Sequence, residues 1–220
     1  MMARDNSYWE SGHYECMDEG RNLPSTIIAY QMTEERMLQQ HIPLQTESIL
    51  EIGSGTGRIL HQLESRAKRI VGIDHAKEML RSARRRVSDK VELIEAEAQS
   101  IPLPDFSFDY VLCLFNTFGN FEGDQNDYIQ EMRRLLKTDG EIHLSVYSER
   151  ARDSQVQLYH NIGLHPQAYS DRVEVKEGFT SRRFGENQLR KFFTDNNLEV
   201  RVHKLTPISY YAIGKKLGPS

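Results

Sequence analysis

The segment Ile49-Leu-Glu-Ile-Gly-Ser-Gly-Thr-Gly-Arg-Ile-Leu60 restricts the fold of this chain more than any other stretch. Ile49, Leu50 and Ile52 form an apolar run of strand length, with Glu51 near its carboxyl end. Gly53, Ser54, Gly55, Thr56 and Gly57 then turn sharply into an amphipathic helical pattern. Glycines at alternate positions let the backbone adopt positive φ and let a ligand approach without meeting a Cβ. A strand, a glycine turn and a helix in that order place a binding crevice at the carboxyl edge of a parallel sheet.

The spacing narrows the ligand. A dinucleotide site carries its third glycine in the pattern G-x-G-x-x-G, but Arg58 stands there and the pattern is G-x-G-x-G. The phosphate-cradling pattern G-x-x-x-x-G-K-[ST] is absent as well. An acidic side chain just before the glycines repels a pyrophosphate and suits an amine or ammonium. Seventeen residues after Gly57, Arg69-Ile-Val-Gly-Ile-Asp74 is an apolar strand ending in a carboxylate. Such a group accepts hydrogen bonds from both ribose hydroxyls, or caps the helix that follows; the two roles are compatible.

Taken together, these segments resemble class I S-adenosylmethionine (SAM)-dependent methyltransferases, whose first motif runs hydrophobic-D/E-x-G-x-G-x-G. The resemblance implies SAM as cofactor, S-adenosylhomocysteine (SAH) as its product and no metal. It assigns cofactor binding to Glu51, Gly53, Gly55 and Gly57, and makes Asp74 the ribose ligand. Two further segments match in order. Glu97-Ala98-Gln-Ser-Ile-Pro102 resembles the family's G-D-A-x-x-L-P stretch, so Glu97 and Ala98 fall at the adenine positions. It departs from that stretch in the longer Glu97 and in Ala96, where the family carries Gly. Phe108-Asp-Tyr-Val111 resembles the fourth-strand F-D-x-V, which brings Phe115 and Asn116 between cofactor and acceptor. Ordinary core packing is the competing role for Phe115.

Strand and helix patterns alternate from residue 48 to 147, with strands near 48–52, 69–73, 91–95, 109–114 and 141–147. Helices are expected near 24–41, 56–66, 75–87 and 124–137, the last followed by a Thr138-Asp139-Gly140 turn. Beyond residue 148 a helix at 151–162, one polar strand at 172–179 and a helix from about 185 precede two closing strands at 199–205 and 208–214. The fold class is therefore α/β, a Rossmann-like three-layer sandwich. The resemblance implies seven mostly parallel strands in the order 3-2-1-4-5-7-6, the last antiparallel. One domain over 1–220 is expected, with 1–42 as an N-terminal lid and helix and 148–184 as an insert.

The net charge of −4 argues against a polyanionic partner, and the basic run Arg81–Arg86 reads as a solvated helix face. Apolar runs are of strand length, so no membrane span is expected. The first residues lack an apolar signal core, which favours the cytoplasm. Cys16 and Cys113 sit in unrelated contexts, and no Cys/His cluster has zinc spacing.

SAM supplies an activated methyl, so the protein must chiefly hold an acceptor in line with it. Residues outside the common core should do this. Tyr8, Tyr14 and Arg21 from the N-terminal part, with Tyr147 and Arg182, are the candidate acceptor contacts. Asn116, Tyr147 and His160 are the candidate catalytic residues, His160 or His165 as a base titrating near neutrality. Alternation along Glu141–Tyr147 puts Glu141, His143, Ser145 and Tyr147 on one face, His143 as a satisfied buried histidine. After Asn116 comes Thr-Phe-Gly rather than the Pro-Pro-Tyr/Phe of base-modifying relatives, so no nucleic-acid partner is expected. The reading is methyl transfer to a nitrogen or oxygen of a small molecule by a monomer or homodimer. A protein or RNA methyltransferase and a non-catalytic SAM-binding protein are the alternatives.

Overall fold

The computed structural model describes Tyr8 and residues 22–216. Its organising element is β1 (Thr46–Ile52), in which Ile49, Leu50 and Ile52 are fully buried. A strand covered by helices on both faces is apolar throughout rather than alternating. Parallel to it lie β2 (Ala67–Asp74), β3 (Val91–Glu95), β4 (Phe108–Cys113) and β5 (Leu136–Tyr147). The sheet closes with β9 (Leu198–Thr206) and β10 (Ser209–Lys216), in the order β3-β2-β1-β4-β5-β10-β9. β10 runs antiparallel to both of its neighbours. This is the seven-stranded order expected, with β9 and β10 as its sixth and seventh members.

Two helical layers cover the sheet. On one side α1 (Ser25–His41) and α2 (Arg58–Leu63) contribute Leu38, Ile59 and Leu60 to a core with Ile49, Ile70 and Leu112. On the other, α4 (Gln125–Leu135) and α6 (Glu186–Asp195) bring Tyr128, Met132 and Phe193 against Leu50, Val111 and Leu144. α3 (Lys77–Arg86) lies between β2 and β3 in the chain.

Two elements depart from the sequence-based expectation. α4 ends at Leu135 and β5 begins at once, pairing Leu136 with Phe108 before Lys137–Gly140 bulge out. The N–H groups of Phe106 and Ser107 take the last carbonyls of α4, at Arg134 and Leu135, so the helix stops there. The polar stretch 172–179 is not one strand. It splits around Lys176-Glu177-Gly178 (φ +106° at the glycine) into β7 (Arg172–Val175) and β8 (Phe179–Arg182). With β6 (Pro166–Ala168) these make a small antiparallel sheet. Together with α5 (Arg152–Asn161), that sheet surrounds a third core of Ile27, Tyr30, Tyr147, Leu158, Tyr159, Val173 and Phe179. This core stands above the carboxyl ends of β4 and β5.

Gly57 occupies the point where the glycine turn enters α2, at φ +77°. A Cβ there would sit 3.1 Å from both Ala83 Cβ and Val87 Cγ1 of the neighbouring helix segment. Left-handed strain adds to that crowding, so Gly57→Ala should lower unfolding stability by about 2 kcal/mol in urea denaturation. An unchanged midpoint would show that the helix junction relaxes freely.

Candidate functional site

A cleft opens across the carboxyl ends of β1, β2, β3 and β4. Its floor is the glycine turn, where Gly53 and Gly55 have φ of +68° and +52°. A Cβ on Gly53 would lie 2.2 Å from Thr117 Cγ2, so the tip of β4 presses directly on this turn. A Cβ on Gly55 would meet nothing within 4 Å and would project into open space.

Carboxylates dominate the walls. Glu51 is 4% exposed, and its Oε2 has no hydrogen-bond partner among the described residues. Burial pushes the Glu51 carboxyl well above its ordinary range, against the pull of Arg58. Ser54 Oγ and Asn120 Oδ1 are likewise buried and without a partner among the described residues. Asp74 Oδ2 accepts the Gly55 N–H at 2.9 Å, and its Oδ1 accepts the Ala76 N–H at 3.0 Å. Asp74 thus braces both the glycine turn and the start of α3, and burial raises its pKa. Glu97 and Ala98 line the cleft from the segment after β3.

β4 ends in an unusual turn, with φ of +48° at Phe115 and +61° at Asn116. Two consecutive left-handed non-glycine residues cost energy and need outside support. Asn116 supplies part of it: its Oδ1 accepts the Tyr147 N–H at 2.9 Å, and its Nδ2 donates to Ser181 Oγ at 2.9 Å. Glu34 of α1 supplies the rest. This carboxylate is fully buried, accepts the Phe115 N–H at 2.8 Å and bonds the Ser145 hydroxyl. Tyr30 OH donates to the same Ser145 hydroxyl at 2.9 Å. Arg58 reaches Glu34 Oε2 at 3.3 Å, pairs with Glu35 and lies 5.7 Å from the centre of the Phe115 ring. Burial raises the Glu34 pKa, and Arg58 is the largest influence against it.

Beside Phe115 the cleft meets a second, smaller chamber lined by Tyr8, Asn116, Tyr147, Tyr159 and Ser181. Phe115, Asn120 and Phe179 line both spaces. The Tyr8 and Phe179 rings are 4.8 Å apart, and Tyr147 packs edge-on to Tyr30 at 5.6 Å. Burial holds the Tyr147 phenol well above its ordinary pKa, so it is a hydrogen-bond donor and not a base near neutral pH.

The structure therefore gathers Glu51, Gly53, Gly55, Asp74, Glu97, Ala98 and Phe115 around one cleft, and Tyr8, Asn116 and Tyr147 around the adjoining chamber. Other expected residues lie elsewhere. Gly57 is outside the lining and serves the helix junction described above. Arg182 donates to the Phe121 carbonyl and faces neither space. Its neighbour Arg183 donates to Gln155 Oε1 at 2.6 Å and to the Tyr169 and Arg172 carbonyls. His160 is exposed on α5, and His165 pairs with Glu177 at 2.6 Å on the surface, so neither histidine stands at the chamber. His143 is buried, with Nδ1 2.8 Å from Tyr211 OH, which makes it a structural histidine. Tyr14 and Arg21 lie outside the described residues. Among the described residues no group of three or more His, Cys, Asp or Glu could hold a metal ion. Nor is any described helix long and apolar enough to cross a membrane.

Glu34, Asn120 and Phe179 were not among the sequence candidates. Glu34 carried a legible signal, because it interrupts the buried stripe Ile27, Tyr30, Leu38 of α1. A charge within an apolar stripe demands a buried partner.

A glycine turn at the tip of a central parallel strand, walled by carboxylates, thus forms a cleft at the carboxyl edge of an α/β sheet. Residues 49–140 match the family model of a methyltransferase domain, and the sheet has the strand order of the class I methyltransferase fold. A demethylmenaquinone methyltransferase of Thermotoga maritima is 29% identical over 134 residues, covering 59% of this chain and 57% of the relative. The chain spans about half the length of the curated relatives it matches. Among solved structures, the DhpI–SAH complex aligns with a TM-score of 0.72 at 19% identity, over 98% of this chain and 96% of that one. A chain of the Haloferax volcanii complex between the Trm112 methyltransferase activator and a methyltransferase gives 0.71 at 16% identity, over 98% and 99%. At such identities these two report the fold alone.

Proposed function

We propose that this chain transfers a methyl group from SAM to a nitrogen or oxygen of a small organic acceptor. The observation that carries this reading is the unpartnered, buried Glu51 Oε2 beside a glycine turn with open space above Gly55. A buried carboxylate oxygen with no donor awaits a cation, and SAM presents an ammonium and a sulfonium with no phosphate. Glu51 and Ser54 would take the amino acid end of the ligand. Both Asp74 oxygens already accept backbone N–H groups, and the lone-pair capacity left over would take a ribose hydroxyl. Glu97 and Ala98 would face the adenine, and Phe115 would stand below the sulfur. The bound cofactor would supply an activated methyl group directed at the chamber. Tyr8, Asn116 and Tyr147 would then orient the acceptor there and exclude water. The small-acceptor half is supported by the presence of that chamber and by a relative named for demethylmenaquinone.

Calorimetry tests the reading directly. SAM and SAH should bind at one site per chain and NADH should give no heat; the reverse result removes the proposal. A charge test refines it. Because burial raises the Glu51 pKa, the folded apo protein keeps this carboxyl protonated at pH values where the unfolded chain has ionised it. Its contribution to stability is present at low pH and fades as pH rises through the raised value. Binding of an ammonium requires the ionised form, so SAM affinity should climb with pH across that window. Glu51→Gln should flatten the climb and weaken binding by about 1.5–3 kcal/mol at neutral pH. A retained pH dependence would shift the role to Asp74, whose pKa is also raised.

A further inference from the structure

We infer that the acceptor is a small amine, received in the aromatic chamber with its nitrogen against Asn120. This rests on the methyl-transfer reading and names its substrate class. Five rings, those of Tyr8, Phe115, Tyr147, Tyr159 and Phe179, line the chamber. Ring faces carry negative potential and favour a cation. Asn120 stands at the junction, lining both cleft and chamber, and its Oδ1 is buried without a partner among the described residues. An unpartnered carbonyl oxygen calls for an N–H or O–H donor. None of the described residues lining the chamber is charged, and the Glu34 carboxylate stands behind it, near enough to act on Tyr147. A carboxylate or phenolate acceptor would therefore meet aromatic rings, an amide oxygen and, behind them, the Glu34 carboxylate.

The chemistry balances without a protein base. The ammonium that the rings favour first gives one proton to water; the lone pair of the resulting neutral amine then forms the new C–N bond, the methyl's C–S bond breaks, and that bond's electron pair stays on sulfur. Positive charge passes to nitrogen, beside Asn120 Oδ1 and the rings. The amine keeps its N–H protons through the step, and the product ammonium gives one to water after release. Burial raises the Tyr159 phenol to about 12, and Tyr147 is raised as well. Both hydroxyls accordingly stay protonated and leave the nitrogen lone pair undisturbed except as weak donors.

The test titrates the full chain first with SAH, then, SAH-saturated, with benzylamine, benzyl alcohol and benzoate. Benzylamine should bind about tenfold tighter than the alcohol, with benzoate weakest. Equal or tighter binding of the alcohol or the acid overturns the amine assignment, as does failure of all three to bind. Failure of SAH in the first step instead overturns the methyl-transfer reading itself. Asn120→Leu should bring the amine-to-alcohol ratio near one. Should that variant not fold, Asn120→Asp should raise the ratio, and a ratio unchanged in the Asp variant also counts against Asn120. With SAM present, mass spectrometry should find the methyl on amines of a mixed amine, phenol and carboxylate set. Ethers or esters formed in preference would sink the inference.

Discussion

Gly55→Val is expected to yield a folded chain with no measurable affinity for SAM. The backbone at Gly55 has φ +52°, and an added Cβ would contact no protein atom within 4 Å. The new side chain consequently has room, and that room is the volume the ligand would occupy. Left-handed strain for a β-branched residue should cost about 1–2 kcal/mol of stability, visible as a lower melting temperature. Gly53→Ala supplies the contrast. Its Cβ would lie 2.2 Å from Thr117 Cγ2, so the β4 tip must shift and folding itself should suffer. Calorimetry and thermal melts on the pair distinguish a blocked site from a broken one. A Gly55→Val protein that binds SAM normally would show that the turn does not touch the ligand.

The second large effect lies outside the glycine turn. Glu34→Ala should reduce unfolding free energy by about 3–5 kcal/mol, the scale for removing one partner from a buried ionic cluster. The substitution strips the Phe115 N–H of its carboxylate acceptor and leaves Arg58 with Glu35 alone. It also opens a void beneath α1, where Glu34 is fully buried. Glu34→Gln keeps a carbonyl oxygen for Phe115 and most of the volume, so its loss should be much smaller. Urea unfolding of both variants separates the network from the cavity. Equal losses would mean that volume alone matters and that the positive-φ turn at Phe115–Asn116 needs no brace.

Most of the sheet was readable in the residues, because buried parallel strands announce themselves as apolar runs closed by glycine or acidic residues. β3 falls on its expected span, and β1, β2 and β4 lie within two residues of theirs. The insert was harder. Its strands are short and partly polar, and the φ of +106° at Gly178 that divides β7 from β8 leaves no trace in hydrophobic periodicity. The β5 bulge escaped for a related reason: Thr138-Asp139-Gly140 reads as a turn, yet pairing of Leu136 with Phe108 keeps both sides in one strand. At the cleft, the short-range motifs point to side chains and glycines that do line it (Glu51, Gly53, Gly55, Asp74, Glu97), while Gly57 lies outside. Arg182 and His160 were misjudged, because side-chain chemistry says nothing about which carbonyl or solvent shell the fold assigns to them. Asn120 and Phe179 could not be found by spacing, since one comes from a 3₁₀ turn and the other from β8.

Cleft and chamber share only Phe115, Asn120 and Phe179 among their described lining residues. The glycine turn and its carboxylates belong to one stretch of chain, while Tyr147, Tyr159 and Ser181 come from β5, α5 and β8. Such a division makes the molecule a two-part tool: a handle that stays constant and a head that can be exchanged. Grafting a different α5–β8 head onto the handle, with Phe115, Asn120 and the Gly178–Thr180 edge retained, should change what the chamber accepts while leaving the proposed SAM binding in place.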